Sequence, residues 1–166
     1  GAGEVRAEDA MSVSSDEFGY FFYVPDGWKS VKKPVRTHQD EVLVKSDKNR
    51  GSEVGLAVDP VKIDSITQFG TPKEVAAKVL TVERKKDGVT GARLVAVSSE
   101  EKEGGTYYTI EYESKSSRGD KHFISQVTIV NKKLYALTAQ SKIDKFEEDG
   151  GRLRAAVNSF KVVTKK

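Results

Sequence analysis

Four successive runs in the second half of the chain carry the two-residue side-chain period of a β-strand: 93–98, 106–114, 121–131 and 133–140. The connections between them hold turn formers, Gly104-Gly105, Ser117-Arg118-Gly119-Asp120 and Asn131-Lys132. Parallel neighbours need a crossover of about a dozen residues or more, so four strands joined this closely pair as an antiparallel meander. Strand parity then places Tyr108, Ile110 and Tyr112 on one face and Glu111 and Glu113 on the other. The mixed Tyr-Ile face reads as sheet cover, and the glutamates opposite would repel phosphate, which argues against base stacking.

Helices flank this meander. Thr71-Pro72-Lys73-Glu74 is a helix start: Thr71 can cap, Pro72 fits the first helical position and Glu74 closes a capping box. Val75, Val79 and Val82 then share one face beside Ala76 and Leu80, and the helix is predicted to run to about Lys86 and stop at Gly88. A second helix is predicted over 152–160, where Leu153, Ala156, Val157 and Phe160 recur at helical spacing, with Gly150-Gly151 separating it from 143–149. Upstream, 18–24 reads as a strand ending at the turn Pro25-Asp26-Gly27, and 41–44 and 54–58 as two more. Residues 1–16 are small, polar and aperiodic, a loose arm ahead of a single domain over 17–166. The predicted class is α+β, an antiparallel sheet sandwiched between helices.

Several function classes fail on composition. Without a cysteine there is no disulfide scaffold, thiol nucleophile or iron-sulfur ligation. Apolar runs such as Phe21-Phe22-Tyr23-Val24 are far short of the about 20 residues of a spanning helix. A net charge of +3 is too slight to indicate nucleic acid, and none is expected as a partner. The histidines, His38 and His122, lie in no nucleophile motif, and no Gly-x-Ser-x-Gly elbow, P-loop or dinucleotide fingerprint occurs, so an enzyme is not expected. Arg118-Gly119-Asp120 sits where a hairpin needs glycine and reads as a turn. The acidic runs Glu100-Glu101-Lys102-Glu103 and Glu147-Glu148-Asp149 read as solvated loops, neither with EF-hand spacing. One local excess of charge stands out: Lys29, Lys32, Lys33 and Arg36 follow one another without an intervening acid, which makes them the candidate docking surface for a partner.

Over 18–163 the chain resembles the PsbP family of extrinsic photosystem II proteins. Phe18-Gly19-Tyr20-Phe21 with Val24-Pro25-Asp26-Gly27-Trp28 is similar to the family's opening strand and Pro-x-x-Trp turn. Asp64-Ser65-Ile66-Thr67-Gln68-Phe69-Gly70-Thr71-Pro72-Lys73-Glu74 is similar to its helix entry. Gly104-Gly105-Thr106-Tyr107-Tyr108 with Glu111-Tyr112, Lys121-His122, and Lys133-Leu134-Tyr135 with Ala139-Gln140 follow in the family's order.

The resemblance implies a non-catalytic protein of the chloroplast thylakoid lumen, peripheral to the thylakoid membrane, whose partners are lumenal subunits of photosystem II and whose work is assembly, repair or stabilisation. Alternatives are an oxygen-evolving-complex subunit aiding calcium and chloride retention, or a lumenal subunit of the thylakoid dehydrogenase complex; residues 1–16 do not resemble the arm tied to ion retention. Outside the family, a small-ligand or metal-binding module using a cavity between sheet and helix is the other class. A monomer that requires no cofactor is expected. The resemblance also makes His122 and Asp144 candidate ligands of a weakly held divalent ion, zinc, manganese or calcium. Two protein ligands fall short of the four of a structural zinc site, so a surface histidine accepting a hydrogen bond stands as the alternative.

Overall fold

The structure, a computed structural model, describes residues 10–32 and 37–163. Among the described residues ten strands and two α-helices follow in the order β1 (Ala10–Ser14), β2 (Tyr20–Pro25), β3 (Lys29–Ser30), β4 (Asp40–Lys45), β5 (Glu53–Pro60), α1 (Pro72–Arg84), β6 (Val89–Lys102), β7 (Gly105–Ser116), β8 (Lys121–Val130), β9 (Lys133–Lys142), α2 (Phe146–Ser159) and β10 (Lys161–Val162). Seven strands form one sheet in the order β3-β4-β5-β9-β8-β7-β6, and β1, β2 and β10 form a second. Every pairing is antiparallel. The predicted meander is β6 to β9, in an α+β fold.

Alternation along the strands builds two cores. Tyr107, Ile124, Leu137, Val54, Leu56 and Val58 face α2, where they meet Leu153, Ala156, Val157 and Phe160 with Phe22 and Val24 of the small sheet. Their neighbours Tyr108, Ile110, Tyr112, Phe123, Val127 and Ile129 face the other way and pack on Val75, Ala76 and Leu80 of α1. The start of α1 is as expected: Thr71 Oγ1 accepts from the Glu74 amide and the Glu74 carboxylate accepts from the Thr71 amide. A second capping box, Ser65 with Gln68, precedes it on the 3-10 turn Ile66–Gln68.

Four expectations are corrected. Ala10–Ser14, inside the segment expected to be a loose arm, is β1, paired along β2. The strand expected over 93–98 extends to Val89–Lys102, bent by register shifts beside Gly91 and Val95. α1 closes at Arg84, two residues before the expected end. α2 begins at Phe146 and runs through Gly150-Gly151 without a break. Glycine costs a helix interior about 1 kcal/mol, but here it makes room: a Cβ at Gly150 would lie 3.1–3.2 Å from the Phe146 ring, which folds back over that turn.

Candidate functional site

The sequence-predicted site residues fall in three different settings. His122 opens β8 on the α2 face and is only 7% exposed, so it is not the surface histidine of the simpler reading. Its Nε2 is 2.7 Å from Glu111 Oε2 of β7, its Nδ1 is 3.9 Å from Glu113 Oε2, and its ring stacks on Phe146 with centroids 3.7 Å apart. Glu111, 8% exposed, also receives a bidentate pair of hydrogen bonds from Arg154 of α2, at 2.8 and 2.9 Å. Burial alone pushes the Glu111 carboxyl upward, but the Arg154 and His122 hydrogen bonds outweigh it and hold the group below the usual carboxylate range. Arg93 of β6 pairs with Glu113 on the same side.

Asp144 lies exposed on the 3-10 turn Ile143–Lys145. Among the described residues no three His, Asp or Glu side chains are grouped so as to hold a metal. A metal at His122 would have to displace Glu111 from Nε2 or enter beside Glu113 at Nδ1. The arrangement is chemically an ion-paired clamp between the sheet and α2, with the imidazole fixed by a carboxylate below and an aromatic ring above.

The basic candidates are split. Lys29 and Lys32 are exposed, while Lys33 and Arg36 lie outside the described residues. Lys29 sits directly opposite Lys45 in the β3–β4 pair, and Lys45 is exposed too. Like charges directly opposed in an antiparallel pair repel. Among the described residues neither lysine, nor Lys32, has a carboxylate within 4.0 Å.

Residues 8–162 match the model of the PsbP family. The chain belongs to the PsbP family. It is 30% identical over 131 residues to PsbP domain-containing protein 2, chloroplastic, of Arabidopsis thaliana, covering 78% of this chain and 55% of that protein. With PsbP-like protein 1, chloroplastic, of the same plant it shares 29% over 156 residues, 92% of this chain and 64% of the other. The chain therefore spans a little over half to under two thirds of the length of these relatives. The solution structure of cyanobacterial PsbP (CyanoP) from Synechocystis sp. PCC 6803 superposes with a TM-score of 0.78 at 20% identity, covering 98% of this chain and 97% of that one, which shows a shared fold.

Arg154, Phe146 and Lys45 were not singled out from the sequence, and Glu111 was not named as a site residue. Parity did place Glu111 on the face away from Tyr108, Ile110 and Tyr112. That face meets α2, and a carboxylate there calls for a cation on the helix; Arg154 is 43 residues away, so only the fold joins them.

Proposed function

We propose that this PsbP-family chain is a non-catalytic accessory protein of the thylakoid lumen, associating peripherally with photosystem II in its assembly, repair or stabilisation. The observation that carries the reading is the cation edge formed by Lys29, Lys45 and Lys32, with no described carboxylate within 4.0 Å and with Glu53 opposite Lys45 on its other, β5 side. A repelling pair at a sheet edge lowers the stability of that edge slightly, and an anionic partner surface turns the same repulsion into a driving force for contact. Family membership supports the choice of complex, and two relatives named as chloroplastic support the compartment. An ion on His122 would be weak, because it competes with Glu111 for the ring nitrogen.

The test is retention on photosystem II-enriched membranes at low and high salt. Wild type should bind at low salt and be released at high salt, since exposed charge is screened over about 10 Å at ~0.1 M. Lys29→Glu with Lys32→Glu should bind poorly even at low salt, while folding at least as well, because the change at position 29 sets opposite charges across from each other at Lys45. Undiminished binding by the double variant would overturn the reading.

A further inference from the structure

α1 covers only part of its face of the sheet. Beside it runs a groove of about 520 Å³, walled by Val75, Val79 and Val82 of the helix and floored by Val127, Leu134 and Ala136 of β8 and β9, with Ile66 and Phe69 also in its lining. The volume is that of a small-ligand site. Val82, in the helix wall, is 63% exposed, although it lies on the apolar stripe of α1.

The polar groups of the lining are few and unequal. Glu83 is neutralised within the protein: Oε2 accepts from Ser114 Oγ at 2.9 Å, and Oε1 lies 2.9 Å from Lys86 Nζ. Lys78 is different. Its ammonium donates to the Phe69 carbonyl at 3.1 Å and rests 4.4 Å above the Phe69 ring, and no described carboxylate lies within 4.0 Å of it. Glu74, one turn back, accepts from the Thr71 amide and acts on Lys78 only through space, without contact. An ammonium has three donors, so two at Lys78 remain for a ligand. Lys86 is paired with Glu83 and the lining's His38 with Asp59, so Lys78 is the cation of the lining with no described carboxylate in contact, at a fixed place along an otherwise apolar trough.

We infer that this groove binds a single-chain amphiphile with an anionic end, a long-chain carboxylate, its chain lying between α1 and the sheet and its carboxylate on Lys78. The site shares no residue with the cation edge at Lys29, Lys32 and Lys45, and its occupancy is independent of membrane docking.

The probe is cis-parinaric acid, whose fluorescence rises in an apolar site, titrated below its micelle concentration into the full chain; oleate and oleyl alcohol serve as competitors. Saturable binding displaced by oleate is expected. Lys78→Gln should weaken oleate about tenfold, the factor of one charge-assisted hydrogen bond, and leave oleyl alcohol within about twofold. Val82→Asp, at an exposed position that does not endanger folding, should weaken both ligands. No fluorescence change with wild type, an oleate affinity indifferent to Lys78→Gln, or binding only to intact anionic phospholipid vesicles would each overturn the assignment.

Discussion

On its α2 side the seven-stranded sheet is sealed from one end of the helix to the other, and on its α1 side it is half open. At the first turn of α2 the seal is the Glu111–His122–Arg154 cluster under Phe146. At the last turn it is Lys102, whose ammonium donates to Gln126 Oε1 at 2.8 Å and to the Phe160 carbonyl at 2.9 Å, satisfying carbonyls that a helix end leaves without partners. Gln126 is itself fully engaged, donating to Thr109 and Glu100. Between these ends the small sheet closes the core. Across the sheet, α1 leaves the groove beside Val79 and Val82 uncovered. One face is built for stability, with buried polar groups satisfied in networks; the other keeps apolar surface available, as a binding face must.

The contrast breaks most visibly in the sealed core. Leu153→Ala, at a side chain with no exposure, should cost about 2–5 kcal/mol, the range for a cavity the surroundings cannot fill. Equilibrium denaturation should show the lower midpoint with an unchanged slope. A cost under 1 kcal/mol would mean the α2 side relaxes as freely as the other.

Next in size is the clamp. Arg154→Ala leaves Glu111 buried with His122 as its remaining partner. The Arg154 side chain is 51% exposed, so solvent screens the pair, and a loss of about 1–2 kcal/mol at neutral pH is expected. The pH dependence has a definite sign. Glu111 titrates lower in the folded protein than in the unfolded chain, so its contribution is complete above the unfolded carboxyl value near ~4.3 and is lost as pH falls through the lower folded value. Denaturation midpoints of wild type and Arg154→Ala should therefore converge in acid. A gap that stays constant below that window would place the effect in packing against Phe146.

How far these two faces could be read from the sequence follows the range of the forces involved. The α1 side was legible: a capping box spans four residues, and parity puts Tyr108, Ile110 and Tyr112 in contact with the helix. The α2 side was not. Its helix starts through Gly150-Gly151, where local propensity says stop, because the ring of Phe146 needs the space. The run Glu147-Glu148-Asp149, expected in a solvated loop, lies in the first turn of α2, and Asp149 is buried, accepting from Asn49 and Ser52 some hundred residues away. Lys102, expected in a similar loop, has its ammonium against the end of α2 for the same reason: its partners are tertiary. The Lys29–Lys45 opposition needs a strand register that no local pattern states.

Thr71→Ala tests the legible side. Losing the hydroxyl that accepts from the Glu74 amide should cost about 1 kcal/mol, measured as a shift in denaturation midpoint. The Glu74 carboxylate would keep its bond from the backbone at position 71, so the loss should not exceed that of a single cap. No shift would mean that Ser65 and Gln68, whose own box orders the preceding turn, hold the helix entry without it.

The smallest effect is expected where the open face is most open. Val82→Lys replaces an exposed β-branched residue on α1 by a better helix former, so stability should change by no more than about 0.5 kcal/mol and in the favourable direction. The same substitution at a sealed position would bury an unpaired charge, which is why it discriminates between the faces. If Val82→Lys instead destabilised the protein by more than 1 kcal/mol, the groove would be covered in solution, either by apolar surface from another copy of the chain or by α1 itself. Sedimentation at two protein concentrations then decides the matter: a cost that vanishes on dilution belongs to self-association, whereas one that persists in the monomer would mean that α1 seals its face of the sheet as tightly as α2 seals the other.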